Sequence, residues 1–145
     1  MRPRKQSTII ASAQQLFLTR GYDGTSLDDI ATDCGVSKTT VYNNFADKDA
    51  LFTAVITQVI GHAESIIEEL RGLLKSSDPL ATRLQDVGRR LVSGVLNPAV
   101  VQLRRIAIAE AFRFPDLVSS YWEQGPAKTI ELLACEFEEL TAAGE

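Results

Sequence analysis

The densest set of hydrogen-bonding side chains in this sequence lies on one short predicted helix. Its outward positions carry ammonium, hydroxyl, phenol and amide groups, on Lys38, Thr39, Thr40, Tyr42 and Asn43. Val41 and Phe45, four residues apart, form with Val36 the face that we expect to be buried. The outward groups suit the donors and acceptors of a DNA major groove, and a phenol or an ammonium can reach a phosphate. The alternative is an ordinary solvated helix face.

Another predicted helix precedes this one and positions it. Ser26 can cap its start, with Asp29 three residues later as the acidic partner of a capping box. Four apolar residues then share one helical stripe: Leu27, Ile30, Ala31 and Cys34. Gly35 can take the positive φ that ends the helix. A small Ala31 at the crossing, Gly35 in the turn and Val41 in the angle together fit a helix-turn-helix.

Residues 5 to 56 carry a longer series of motifs around this helix pair. A first helix ends in an aromatic residue and a glycine pair (Phe17, Gly21, Tyr22), and T-S-hydrophobic-x-x-I-A follows. Next come G-V-S-K-x-T-hydrophobic-Y-x-x-F and x-K-x-x-L-F. In this order the motifs resemble the N-terminal domain of TetR/AcrR-type transcriptional regulators. A run of about fifty residues is far more specific than one short motif.

The resemblance implies roles for individual side chains. Thr25 and Ser26, at the start of the second helix, would touch a phosphate. Lys48, near the N-terminus of the fourth helix, would bind backbone phosphate, since helix N-termini also attract anions; otherwise it is an ordinary surface lysine. The DNA-binding residues of the recognition helix would be Ser37, Lys38, Thr39, Thr40, Tyr42 and Asn43. The pair Asn43-Asn44 departs from the family, which more often has an aromatic or basic residue and a histidine there.

Charge is distributed unevenly along the 145 residues, 45% of which are hydrophobic. The net charge of −4 argues at first against a nucleic-acid partner. Residues 1 to 50, however, have six Lys and Arg against six Asp and Glu, which leaves nine against thirteen for residues 51 to 145. Arg2, Arg4 and Lys5 could follow a minor groove or the phosphates, or form a frayed terminus. No apolar stretch approaches the roughly 18 residues of a membrane span, so we expect a cytoplasmic protein without a membrane partner.

Helix start signals recur along the rest of the chain. Asp47 can cap a long fourth helix that runs to about Lys75. Asp78-Pro79 and Asn97-Pro98 each pair a capping side chain with a proline at the first helical position, and Gly125-Pro126 predicts a break and restart. Pro115 should end a helix at Phe114 and begin a short one. Because no segment alternates like a strand, the sequence predicts an all-α fold of about eight helices.

By resemblance, residues 1–50 form the helix-turn-helix domain and residues 51–145 hold a small-molecule pocket and a dimer surface. Ligand binding would tilt the fourth helix and release a homodimer from a palindromic operator. The pocket candidates are Val59, His62, Phe112 and Trp122, although each is also explained as a packed or core residue. A further dimerisation helix is usual in the family after the position of Glu145, so either the chain is a fragment or its dimer is built differently.

The inventory of reactive residues argues against an enzyme. One histidine and two distant cysteines, Cys34 and Cys135, supply neither a di-iron nor a zinc site. No phosphate loop or nucleophile elbow is present, and no cofactor is expected. The cysteines are expected to be reduced thiols, with a redox switch at Cys34 as the alternative. The competing function is a helical protein-interaction module without DNA readout, against which the acid-free polar face of residues 37 to 43 argues.

Overall fold

The computed structural model describes residues 2–144, which form an all-α fold, as predicted. The head of the molecule consists of three helices: α1 (Arg2–Arg20), α2 (Leu27–Asp33) and α3 (Lys38–Asn44). The long helix α4 (Lys48–Leu74) leads to α5 (Leu80–Val95) and α6 (Pro98–Ala109). The last helices are α7 (Pro115–Trp122) and α8 (Lys128–Ala142), joined by a π-helical segment, Glu123–Ala127. The side chains of Arg2 and Arg4 lie outside the described part, so their predicted DNA contacts do too.

The last part of the chain corrects the predicted helix count. The helix α7, the π-helical segment and α8 follow one another without a gap, so residues 2–144 contain seven continuous helices and not eight. The predicted break at Gly125-Pro126 is wrong, because the wider π-helical turn accommodates a proline that has no N–H to donate. The Gly125 carbonyl accepts the Lys128 backbone N–H and, at 3.0 Å, the Thr129 hydroxyl.

Most of the predicted helix starts are confirmed. The Asp47 side chain accepts the backbone N–H of Ala50, and Asn97 accepts those of Ala99 and Val100. The prediction for Asp78 is wrong, because its carboxylate accepts the Ser76 hydroxyl, and α5 begins after Pro79 without a side-chain cap. The predicted helix end at Phe114 is also wrong, because α6 ends at Ala109 and residues 110–114 form a turn before α7.

The buried residues form two clusters along α4. The larger cluster joins the head to the first half of α4 and to Leu103 and Ala107 of α6. The smaller one packs the second half of α4 against α5 and α8. Within residues 2–144, α4 alone is long and apolar enough by itself to cross a membrane. It contributes eight buried residues to these clusters, which is the behaviour of a core helix. A single unbroken helix therefore connects the two packed regions.

Candidate nucleic-acid interface

The helix α3 presents its polar side chains to solvent, as its sequence pattern predicts. Val41 is fully buried and Phe45 is 6% exposed, so these two residues fasten the helix to the core. Lys38, Thr39 and Asn43 are exposed, and Tyr42 exposes 53% of its surface. The exposed face offers an ammonium, hydroxyls, an amide and a phenol within two helical turns. This combination can hydrogen-bond both to base edges and to phosphates.

The turn between α2 and α3 fixes the orientation of this face. Gly35 has φ +66°, and the Val36 N–H donates to the Ala31 carbonyl at 3.1 Å. Ser37 caps α3 by accepting the Thr40 N–H at 3.2 Å. The hydroxyl groups of Ser37 and Thr40 are also hydrogen-bonded to each other, at 2.8 Å. Both residues are thus part of the scaffold of α3 as well as of its polar surface.

Of the two residues expected to contact a phosphate at the start of α2, only Ser26 is exposed. Ser26 forms the predicted capping box with Asp29. Hydrogen bonds from the Ser26 side chain and backbone hold the pKa of Asp29 below its usual range. Thr25, by contrast, is 2% exposed, and its hydroxyl donates to the Gly21 carbonyl at 2.8 Å. Its side chain therefore locks the loop after α1, and a phosphate contact would require breaking that hydrogen bond.

An open cleft of about 570 Å³ lies between α2, α3 and the start of α4. It is lined by Ser26, which caps α2, by Tyr42 of α3 and by Lys48 of α4. These are three of the side chains expected to contact DNA, and they come from separate helices that converge only in the folded chain. The cleft is also lined by four carboxylates, those of Asp23, Asp28, Asp29 and Asp47.

Three of these carboxylates have partners within the head. Asp28 pairs with Lys38 at 2.6 Å, and this hydrogen bond and charge raise the pKa of Lys38. Asp29 belongs to the capping box and lies 3.6 Å from Arg20. Asp47 accepts the Ala50 N–H at 2.7 Å. Two of these carboxylates thus cap helices and the third binds a lysine, so all three stabilise the local structure of the cleft.

Lys48 is held by Tyr22, whose role the sequence did not reveal. The Lys48 ammonium donates to the Tyr22 carbonyl at 2.9 Å and lies 4.1 Å from the centre of the Tyr22 ring. Tyr22 is 2% exposed, and its hydroxyl donates to Asp49. Burial and this acceptor raise the pKa of Tyr22. The aromatic residue next to Gly21 in the motif was the available signal for this anchoring position.

The C-terminal part of the chain touches the same tyrosine. The ring of Phe114, just before α7, lies 5.6 Å from the Tyr22 ring and 5.1 Å from the Phe52 ring. Arg113 lies over the Tyr22 ring at 4.8 Å and forms an ion pair with Asp49 at 3.7 Å. We call Tyr22, Asp49, Arg113 and Phe114 the junction cluster. It joins the turn after α6 to the start of α4.

Comparisons with known proteins agree with this geometry. Residues 9–55 match the family model described as bacterial regulatory proteins, tetR family. Residues 82–145 match the model for the C-terminal domain of AefR-like transcriptional repressors. A solved structure described as a TetR-family regulator from Mesorhizobium loti superposes with a TM-score of 0.88 at 37% identity, covering 99% of this chain and 72% of that one.

The chain belongs to the TetR family. The flavonoid-responsive regulator FrrA is 38% identical with a TM-score of 0.67, over 97% of this chain and 69% of that one. The transcriptional activator FasR of Mycolicibacterium smegmatis is 29% identical over 84 residues, which are 58% of this chain and 37% of FasR. The matched part of the chain spans less than two thirds of the length of each of three further curated regulators. TetR-family members are transcriptional regulators and not enzymes, in agreement with the sequence.

The four candidate pocket residues of this TetR-family chain line neither the cleft beside α3 nor the groove between α1 and α6. Val59 is half-buried, whereas His62 is exposed and its Nδ1 is 2.7 Å from the Gln58 carbonyl oxygen. Phe112 is fully exposed, and Trp122 exposes 56% of its surface. A groove of about 180 Å³ between α1 and α6 is lined by other residues: Phe17, Leu18, Gly21, Gln102, Arg105 and Ile106. A role of these four residues in ligand binding stays a prediction.

The cysteines of this TetR-family chain lie apart. Cys34 is half-buried in the head and Cys135 is exposed on α8, both as free thiols. Among the described residues, no group of three or more His, Cys, Asp or Glu side chains could hold a metal ion.

Proposed function

We propose that this protein is a sequence-specific, double-stranded DNA-binding regulator that reads the major groove with α3. The observation that carries the proposal is the convergence of Ser26, Tyr42 and Lys48 on one cleft beside the exposed face of α3. In this arrangement Lys38, Thr39 and Asn43 reach base edges or nearby phosphates, while Lys48 neutralises a backbone phosphate. The Ser37 and Thr40 hydroxyls lie at the edge of the same surface.

We further propose that the protein acts as a cytoplasmic homodimer on a palindromic operator. TetR-family members typically bind operators as dimers and respond to small molecules. Two recognition helices of a dimer must be about 34 Å apart to meet successive major grooves. Residues 1–50 are proposed as the DNA-binding domain and residues 51–145 as the sensing and dimerisation domain.

Release from the operator by a small-molecule ligand is the proposed regulation. The junction cluster supports it, because Arg113 and Phe114 contact residues of the head across the fold. The likeness of residues 82–145 to AefR-like repressors favours repression. FrrA is named as flavonoid-responsive, so a panel of flavonoids is the first probe. We expect a member of that panel to lower the affinity of the protein for a selected operator. If no flavonoid changes that affinity, flavonoids are excluded as the ligand class.

Selection of bound duplexes from a random pool tests the DNA-binding proposal. We expect a palindromic sequence to be enriched, with half-sites about one helical turn apart, or about 10 base pairs. Enrichment of no sequence would contradict sequence-specific readout and favour the protein-interaction module.

The assigned reading face is tested by Lys38→Ala and Tyr42→Phe on the enriched duplex. Both variants should bind more weakly, and loss of a lysine–phosphate contact should reduce the salt slope by about 0.9. Thr57→Ala, on an exposed position of α4, is the control and should bind like the parent. If Lys38→Ala and Tyr42→Phe also match the parent across a salt titration, α3 is not the reading helix.

A further inference from the structure

The ion pair between Lys38 and Asp28 lies within the proposed DNA-binding surface. Lys38 is the first residue of α3 and its only charged one. Its Nζ is 2.6 Å from Oδ2 of Asp28, which belongs to the first turn of α2. The two side chains are 65% and 49% exposed, so water and other ions can reach both. A DNA phosphate approaching Lys38 would meet a lysine that already has an anionic partner.

The positions of the two residues on their helices explain why they pair. A helix N-terminus carries a partial positive charge, which stabilises the Asp28 carboxylate and disfavours the Lys38 ammonium at the start of α3. The carboxylate offsets that unfavourable placement. The raised pKa of Lys38, caused first by its hydrogen bond to Asp28, agrees with this interaction. Asp28 also lines the cleft next to Tyr42 and Lys48.

We propose that Asp28 is an internal competitor of DNA, occupying in the free protein the place on Lys38 that a DNA phosphate or base takes in the complex. This inference rests on the proposed DNA-binding function. Binding then exchanges one anion for another at Lys38 and leaves the displaced carboxylate near the phosphates. Both effects lower affinity for any duplex, and they weaken most the non-specific complexes, which rely mainly on phosphate contacts.

Asp28→Asn tests the competition, with Asp23→Asn as the matched control. Both variants remove one negative charge from the same cleft, but only Asp28 is bound to Lys38. Binding is measured on a mixed-sequence duplex at low salt. We expect Asp28→Asn to bind about two- to fivefold more tightly than the parent, which corresponds to the loss of one exposed ion pair. Asp23→Asn should gain clearly less.

Lys38→Gln separates competition from general repulsion. In the Lys38→Gln background, the gain in DNA affinity from Asp28→Asn should fall to that of Asp23→Asn, because Asp28 then has no lysine to pair with. A full gain in that background, or equal gains for the two aspartates in the parent, would show that Asp28 acts only through its charge and would overturn the inference.

A measurement without DNA examines the ion pair itself. The pKa of Lys38, followed by NMR of its side-chain nitrogen, should lie above the usual lysine value in the parent and fall in Asp28→Asn. The same pKa in both proteins would also overturn the inference. If the pair is present but the parent binds no duplex, the proposed function has failed, and the competitor role fails with it for that distinct reason.

Discussion

Three capping side chains fix where the helices of the head begin. Ser26, Ser37 and Asp47 each accept a backbone N–H three residues later, at 3.1, 3.2 and 2.7 Å. An N-cap of this kind contributes about 0.5–2 kcal/mol to the free energy of unfolding. Two of the three, Ser26 and Asp47, also line the cleft proposed to receive a phosphate. Stability and the proposed phosphate binding would therefore depend on the same few polar atoms.

Ser26→Ala should lower the free energy of unfolding by about 1 kcal/mol, because the Asp29 N–H loses its acceptor. Loss of the Ser26 hydroxyl should also raise the pKa of Asp29 towards its usual value. In the parent this lowered pKa adds stability above the unfolded value of about 3.9, and the addition is lost as the pH falls through the folded pKa. The variant should consequently lose less stability between neutral pH and pH below about 4.

Urea unfolding at several pH values and NMR titration of Asp29 provide the measurements. Thr57→Ala is the control, because Thr57 is exposed within α4 and alanine suits a helix interior. The capping role would be refuted if Ser26→Ala were as stable as the control and left the pKa of Asp29 unchanged.

Local signals explain which residue-scale features were predictable. The Ser26–Asp29 box and the Asp47 cap each join residues only three apart in the sequence, so the sequence alone predicts them. The bond from Lys48 to the Tyr22 carbonyl joins residues 26 apart, and no local rule reveals it. At Thr25 a local motif misled, because its position suggested a phosphate contact while its hydroxyl donates to the Gly21 carbonyl.

At the scale of elements, the turn after α2 determines which way α3 points. Gly35 has φ +66°, a left-handed conformation that costs residues other than glycine about 1–2 kcal/mol. Helix breaks elsewhere were harder to predict, because the effect of a proline depends on its surroundings. Gly125-Pro126 reads as a stop, yet the π-helical segment continues the helix, and Gly125 packs against Ala63 of α4.

Gly35→Ala should lower the free energy of unfolding by about 1–2 kcal/mol, through backbone strain alone, since its added Cβ would meet no atom within 4 Å. Gly61→Ala makes the same chemical change within α4, where the space is also open. It should raise stability by about 0.5–1 kcal/mol, because alanine favours a helix interior. Urea unfolding of both variants provides the comparison, and changes of equal sign would contradict the role of the turn.

At the scale of the whole molecule, α4 and the junction cluster are two links between the head and the rest of the chain. The larger core extends from α1 to α6, so the head is packed continuously with residues beyond position 50. The sequence predicted the long α4 because its periodicity and caps are local. It did not predict the junction cluster, because Arg113 and Asp49 meet only through the tertiary fold.

Arg113→Gln should loosen the start of α4 without unfolding the protein. The substitution removes the ion pair with Asp49 and the cation over the Tyr22 ring, each worth about 0.2–1 kcal/mol at an exposed site. Amide hydrogen exchange of residues 50–54 should therefore become about two- to fivefold faster. Arg89→Gln removes a comparable exposed pair with Asp86 on α5 and should leave that exchange unchanged.

DNA affinity shows whether the junction cluster acts through Lys48. Since Tyr22 contacts both Arg113 and the Lys48 ammonium, Arg113→Gln should weaken binding to the enriched duplex in the parent but have no added effect in Lys48→Ala. Additive losses would mean that Arg113 supports the head by another route. If Arg113→Gln matched Arg89→Gln in both exchange and affinity, the ion pair and ring contact of Arg113 would have no part in holding the head, and a ligand-driven release would have to act through α4 or through the packing of Phe114 and α6 against the head.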